Sequence, residues 1–407
     1  MRVGIFTEGQ SDLGGTWQLG SGILHALDKG ASESRHKFYL LSTSPYQEKY
    51  PIPLLNIPVI HLITGIYRYL YLIFDKVMKF CSRFGFRVFN LVPLFVRPMQ
   101  KVLKKNGIQV LYFLKRESLS YRLDFPYILT VYDLQFRTQP EFPEISLNGK
   151  WRKLESVFGR AIPRASAIIV DSQVGKEDVC RIYSVTEDRV FVLPYFPASF
   201  TFLEDEAGGI EVVNKYNLPI PYLFYPAQFW PHKNHSNLLI SLKKLKNESD
   251  LLLPLVLVGS DKGNLSYVME LAAQLGLEGQ VYYLGFVPDK DMVSLYRHAL
   301  ALVFPTFFGP TNIPPLEAFA LGCPALVSDI PGMREQVGDA ALLFDPKDPC
   351  SIANAILKIY QDKSIRDDLV WRGKKRLGHW GPDRYVQCLL SILDQLEPRV
   401  RCWSWIE

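Results

Sequence analysis

Residues 304–345 read FPTFFGPTNIPPLEAFALGCPALVSDIPGMREQVGDAALLFD. A short apolar run ends at Phe304, which predicts a strand. A loop with Gly309 and Pro310 follows. A helix is expected to start near Pro314 or Pro315, because proline suits the first turn, where its missing N–H costs nothing. The backbone N–H groups of Thr311, Asn312 and Ile313 would then point from the helix start toward an anion, and a diphosphate fits that geometry. Glu317 falls in the expected first turn, on the exposed face. It is placed to accept hydrogen bonds from two hydroxyls of a ribose, or it is simply an acid favoured at a helix N-terminus. The local pattern leaves both readings open.

Outward from this stretch, short β-branched or aromatic runs alternate with helical patterns over the whole chain, the mark of parallel sheets with crossover helices. Strands are expected at 3–6, 38–41, 59–62, 110–114, 128–131, 167–170 and 190–193, and then at 222–226, 255–258, 281–284, 302–304, 325–327 and 342–344. A length of 407 residues is too great for one compact core. Two α/β domains follow: an N-terminal Rossmann-like domain over 1–198, a linker over 199–218 and a C-terminal one over 219–384. Residues 385–407 are expected to form a helix that crosses back to the first domain.

The second informative patch is Tyr225-Pro-Ala-Gln-Phe-Trp-Pro-His-Lys-Asn-His235, between the first strand of the second half and an expected helix over 237–245. A Lys at the carboxyl end of a parallel strand is well placed to neutralise phosphate, and Lys233 is that residue. His232 and His235 read as surface polar residues rather than metal ligands. Asp289-Lys-Asp291 has the spacing of a metal-binding acidic pair. It opens a helical pattern, so the acids are assigned to capping and to the helix dipole, and no metal site is predicted.

In the first half, strand 3–6 runs into Gly14-Gly-Thr-Trp-Gln-Leu-Gly20, where Gly14, Gly15 and Thr16 allow close backbone approach to a ligand. The dinucleotide fingerprint G-x-G-x-x-G is missing, which disfavours a dehydrogenase. Tyr132 and Asp133 stand at the end of another strand, in Ile128-Leu-Thr-Val-Tyr-Asp-Leu-Gln-Phe-Arg137. Asp133 can equally hold its loop through backbone hydrogen bonds.

Taken with the Lys233 loop and Leu257-Val-Gly-Ser-Asp261, residues 304–345 resemble the retaining family-4 glycosyltransferases (glycosyl transferases group 1). The form FGPTN-x-PPLEAFALGCP resembles a bacterial branch of that family, and the likeness covers most of residues 1–385 in order. It implies the GT-B architecture, two Rossmann-like domains with parallel sheets facing across a cleft. It implies donor binding by the second domain, with Lys233 on the phosphates and Glu317 as the later Glu of the E-x7-E motif, holding the ribose. Gly285-Phe-Val287 matches the stretch that holds the base through its backbone. The loop of Gly14, Gly15 and Thr16 matches one bordering diphosphate and acceptor, and Asp133 matches by position. The implied reaction retains anomeric configuration, with attack from the face the diphosphate leaves. It needs no cofactor; the nucleoside diphosphate sugar is a substrate, and the acceptor is a glycan or lipid-linked saccharide. Three positions depart from the pattern: Gly309 replaces the first Glu, Gln228 replaces an Arg five residues before Lys233, and Tyr132 replaces a His that contacts the donor sugar.

Composition supports a globular enzyme, with 48% apolar and 21% charged residues. Six scattered cysteines signal neither zinc nor a disulfide framework, and reduced thiols are expected. The net charge of +5 is concentrated: residues 51–105 carry nine basic side chains against Asp75 alone. This segment is also rich in apolar residues, so contact of residues 54–105 with an anionic membrane surface is expected, at the inner face of the cytoplasmic membrane. No nucleic-acid motif accompanies the charge. The N-terminus does not read as a signal peptide and no spanning segment is predicted, so the expected location is cytoplasmic. The competing readings are a non-catalytic nucleotide-sugar-binding protein, motivated by the three departures, and a hydrolase or epimerase on the same architecture.

Overall fold

A computed structural model describes residues 1–7, 15–31, 33–43, 55–63, 67, 69–70, 73, 92–115, 117–202, 209–378 and 380–402. The described strands are β1 Arg2–Phe6, β2 Lys37–Ser42, β3 Val59–His61, β4 Val110–Phe113, β5 Tyr127–Thr130, β6 Ala167–Val170 and β7 Val190–Val192, then β8 Leu223–Pro226, β9 Leu255–Val258, β10 Val281–Tyr283, β11 Ala301–Phe304, β12 Ala325–Ser328 and β13 Leu342–Phe344. Each matches an expected strand to within a residue or two. The longer helices are α1 Gly15–Gly30, α2 Val92–Lys105, α3 Lys150–Ala161, α4 Gln173–Tyr183, α5 His235–Ser249, α6 Leu265–Gln274, α7 Asp289–Arg297, α8 Ile313–Leu321, α9 Pro349–Gln361, α10 Lys363–Leu377 and α11 Pro382–Arg401.

The first sheet runs β3-β2-β1-β4-β5-β6-β7 and the second β10-β9-β8-β11-β12-β13. Every described pairing is parallel. Parallel strands need covered faces on both sides, and the residues divide accordingly. Val3, Ile5, Val110 and Tyr112 point into one core. Their strand neighbours Phe6, Leu111 and Phe113 point into the other. In each sheet the strand order reverses beside the first strand of the domain. The crevices at β1/β4 and at β8/β11, at the carboxyl ends, are where such sheets bind ligands.

Two segments join the domains. Residues near the expected linker pack on the second domain: Phe200 stacks on Tyr296 at 6.5 Å between centroids, and Lys215 Nζ lies 2.6 Å from Asp291. Helix α11 returns to the first domain and packs along α1. Arg35 and His36 both bond Asp394, and the Tyr112 and Tyr385 hydroxyls approach to 3.5 Å. Trp380 Nε1 donates to the carbonyl of Tyr195 at 3.1 Å. Leu389 is fully buried in α11 within the core shared with α1. Leu389→Ala is expected to cost about 2–5 kcal/mol, read as a lower urea midpoint in tryptophan fluorescence; an unchanged midpoint would mean that α11 contributes little to holding the first domain.

Candidate functional site

The loops after β8 and β11 meet at the reversal point of the second sheet. After β8, Trp230 Nε1 donates to Gln228 Oε1 at 2.9 Å, and Lys233 closes a short 3-10 turn, Pro231–Lys233. Asn234 then adopts φ 58° and is buried. It tolerates this conformation because its amide reaches the carbonyls of Pro305 and Pro346, both at 2.8 Å, while its oxygen caps α5 through Asn237 N. A third loop is pressed against the first. Gly259, at φ 148°, lies so close that a Cβ there would sit 2.3 Å from the Ala227 carbonyl oxygen, and its N–H donates to the Gly285 carbonyl at 3.0 Å. Val287 is buried beside it and Phe286 is exposed.

Lys233 is half-buried, with its ammonium 5.0 Å from the centre of the Phe304 ring and 3.4 Å from Asn312 Oδ1. Burial lowers its pKa to about 8, against the pull of Asp133 and Glu144. The adjacent histidines are not surface residues, contrary to expectation. His232 is tied to Glu144 of the first domain, Nδ1 to Oε1, at 2.5 Å. Burial lowers the His232 pKa, so a neutral ring donating Nδ1–H satisfies the contact. Burial opposes ionisation of Glu144 as well, yet the bond from His232 keeps that carboxyl below its usual range. His235 is buried, stacked on Phe229 with centroids 4.4 Å apart, and burial takes its pKa down to about 3.

Helix α8 begins at Ile313, one or two residues earlier than expected, with Asn312 at the N-cap. The amide of Asn312 does not face an anion: it donates to Gln336 Oε1 at 2.9 Å, and Gln336 Nε2 returns a bond to the Asn312 carbonyl at 2.6 Å. Pro314 and Pro315 have no N–H, so Thr311 and Ile313 are left as amide donors from the expected set. Glu317 is also corrected. It lies beyond the first turn and is buried, not exposed, with Oε2 accepting from the Tyr296 hydroxyl at 2.5 Å. Helix α8 is apolar on nearly all sides and sits inside the domain, which carries its one acid inward. Burial raises the Glu317 pKa to about 7, with Tyr296 opposing and Asp289 adding. The acids of α7 do not cap it: Pro288 holds the cap position without a side-chain bond, while Asp291 pairs with Lys215 and the Tyr216 hydroxyl.

A cleft of about 310 Å³ separates the two domains, lined by Tyr132, Asp133, Gln139 and Gly175 on one side and Phe307, Phe308, Gly309 and Pro310 on the other. Asp133 is exposed and accepts from Gln135 N at 3.0 Å, so it fixes its own loop. Burial raises the Tyr132 pKa, and its ring packs edge-on to Tyr195. Gly14 lies outside the described residues. Gly15 and Thr16 open α1, and the Thr16 side chain is outside the description.

Three further residues not singled out from sequence, Asp171, Glu335 and Gln139, bond across the cleft. Thr311 donates its hydroxyl to the buried Asp171, at the carboxyl end of β6. Glu335 accepts from Gln173 N with both oxygens, at 2.9 and 3.0 Å, at the start of α4. Gln139 Nε2 donates to the Phe307 carbonyl at 3.1 Å. Only the Asp in Val170-Asp-Ser172, polar after an apolar strand, hinted at this in the sequence. Elsewhere, His36, Asp394 and Glu397 converge, but Arg35 and the Met1 amino group already pair with these acids, so the cluster is an ion-pair network.

Residues 212–376 match the family model described as glycosyl transferases group 1. Among curated relatives, O-antigen chain mannosyltransferase B of Escherichia coli is 30% identical over 247 residues, 60% of this chain and 64% of that protein. O-antigen chain mannosyltransferase RfbU of Salmonella typhimurium is 28% identical over 49% of this chain and 53% of its own length. The serotype-specific mannosyltransferase WbdA of E. coli matches at 26%, over 28% of its length. The chain thus spans less than two thirds of each of these relatives. Among solved structures, sucrose-phosphate synthase from Thermosynechococcus elongatus superposes with a TM-score of 0.71 at 16% identity, covering 98% of this chain and 99% of that one. Anabaena HepE, solved with UDP and glucose, gives 0.71 at 16% identity, covering 97% and 100%. The fold is GT-B.

Asp171 yields a pH test. Burial raises its pKa to about 7 from 3.8, while Thr311 and Ser172 donate to it and Asp133 adds repulsion. The folded state therefore keeps a proton that the unfolded chain has released, and the stability from this group is lost as pH rises from about 4 to about 7. Glu317 shares that window. Asp171→Asn keeps an acceptor for Thr311 and is expected to flatten part of the fall in melting temperature between pH 5 and pH 8. A slope equal to wild type would contradict the buried carboxyl.

Proposed function

We propose that this chain transfers a hexosyl group from a nucleoside diphosphate sugar to a hydroxyl of a glycan or lipid-linked saccharide, in the synthesis of a cell-surface polysaccharide. The observation that carries the reading is the half-buried Lys233 ammonium at the β8/β11 reversal point, facing the start of α8. A diphosphate there would restore the charge that burial disfavours, and the group 1 match covers these loops. Mannose is the sugar class named for the curated relatives, and it is the first to test.

The proposed step breaks the bond from the anomeric carbon to the diphosphate and forms one to the acceptor oxygen on the same face, so configuration is retained. The acceptor proton passes to the departing diphosphate oxygen. Lys233 and the Thr311 and Ile313 amides stabilise the leaving group, Glu317 turns from Tyr296 to the ribose hydroxyls, and closure of the cleft through Thr311 and Asp171 excludes water. No metal is needed where a cation already faces the phosphates.

Peripheral membrane contact belongs to the same proposal. Leu55, Tyr67, Tyr69, Leu70 and Ile73 are exposed in the basic segment, most of which lies outside the described residues. Among the described residues no helix is long and apolar enough to cross a membrane. A second reading, binding without transfer, is favoured by Gly309, Gln228 and Tyr132.

The test is thermal stabilisation by GDP-mannose, UDP-glucose and UDP-galactose, with and without EDTA, followed by assay of sugar transfer. One donor is expected to raise the melting temperature regardless of EDTA; stabilisation without transfer or nucleotide release would favour the binding protein. Lys233→Ala is expected to cut turnover at least about tenfold, and full activity would remove Lys233 from the phosphate site. Glu317→Gln is expected to raise the donor Michaelis constant, whereas unchanged kinetics would leave Glu317 a purely structural partner of Tyr296.

A further inference from the structure

Gly309 and Asn312 share one space. Gly309 adopts φ 117°, and a Cβ there would fall 2.5 Å from Asn312 Nδ2 and 2.9 Å from Oδ1. The Asn312 amide nitrogen donates instead to the Gly309 carbonyl at 3.1 Å, which leaves its oxygen facing the Lys233 ammonium at 3.4 Å. The backbone of Asn312 is clamped at both its N–H and its C=O by Gln336, so the side chain has little freedom to go elsewhere. Gly332 packs beneath, where a Cβ would meet the Pro310 carbonyl at 2.3 Å. Asn312 itself is buried and does not line the cleft.

We propose that Asn312 is a positioning residue for Lys233, and that the glycine at 309 exists to admit it. The family resemblance puts a carboxylate at 309; in this chain that side chain is exchanged for a neutral amide reaching the cation from position 312. The exchange keeps an acceptor on the ammonium without adding negative charge beside a bound diphosphate. This inference rests on the reading of Lys233 as the phosphate-binding cation.

The ammonium is surrounded by few charges. Asp133 and Glu144 favour its protonated form, and His232 and His235 lie beside it, both held toward neutrality by burial. The Asn312 oxygen is the one acceptor recorded in direct contact among the described residues. Its removal should therefore ease loss of the Lys233 proton, and a carboxylate in its place should oppose it.

The experiment measures binding of GDP and UDP by calorimetry from pH 6.5 to pH 10, with Lys233→Ala to identify the limb that reports this lysine. In wild type, affinity is expected to fall through a midpoint near the Lys233 pKa, raised somewhat by the bound diphosphate. Asn312→Ala should lower that midpoint by about half a pH unit or more, and Asn312→Asp should raise it. Gly309→Ala should lower it as Asn312→Ala does, because the added Cβ displaces the amide. The double variant Gly309→Ala, Asn312→Ala should shift no further than Asn312→Ala alone. Unmoved midpoints in folded variants, checked by circular dichroism, overturn the positioning role even if affinity falls. Additive shifts overturn the coupling to Gly309. Should Asn312→Ala fail to fold, the Asp variant still decides by the direction of its shift. Failure of both nucleotides to bind wild type would instead overturn the donor-site reading beneath.

Discussion

The turn from Phe304 into helix α8 is the constraint on which the cleft depends. The chain must leave a buried strand, cross the reversal point of the sheet and start a helix within nine residues. It does so by giving Gly309 a backbone conformation that L-residues rarely adopt, and by stacking Pro310 on Gly332 with no room for a methyl group. Once Pro310 is seated, Gln336 reads the Asn312 backbone in both directions. Thr311 and Asn312 then project to opposite duties. Thr311 reaches the first domain at Asp171, and Asn312 reaches Lys233 within the second. One loop thus carries both the contact to the first domain and the contact to the cation.

The strands were legible because burial on both faces demands continuous runs of Val, Ile, Leu and aromatic residues, and the turns between them are punctuated by Gly and Pro. Lys233 was legible for a topological reason: a lone cation after the first strand of an α/β unit falls at the crevice wherever the helices run. Glu317 was only half legible. That it lies in a helix followed from the prolines, but the helix starts earlier than they suggest, and its burial depends on what packs around α8, where Ile313, Leu316, Phe319 and Leu321 cover every side. A single acid in an otherwise apolar helix was the available signal that it points inward. His235 misled for a related reason, since two histidines in a loop carry no mark of the Phe229 ring that one of them stacks on.

Glu335 and Gln336 were not legible at all, and Asp171 only as a polar residue after an apolar strand. Their partners lie between 24 and 162 residues away, and each bond exists only because two domains or two loops have docked. Hydrophobic periodicity reports which face of an element is covered; it says nothing about which polar group meets which across a cleft.

Three titratable groups around the cleft share one tendency. Asp171 and Glu317 are pushed up to about 7 and Lys233 down to about 8, all chiefly by burial. Each is held in surroundings that disfavour its charged form. A polyhydroxylated diphosphate is complementary to such a set: hydroxyls donate to carboxylates, and phosphate oxygens accept from the ammonium. At Glu317 binding would then replace an internal contact, with Tyr296 as the partner to be exchanged, while Thr311 keeps its bond to Asp171 across the cleft. A site whose acids and cation had paired with each other would have to break those pairs first. In this structure the acids lean on hydroxyls and the cation on an amide, contacts weak enough to yield to a charged ligand and directional enough to hold the groups in position until it arrives.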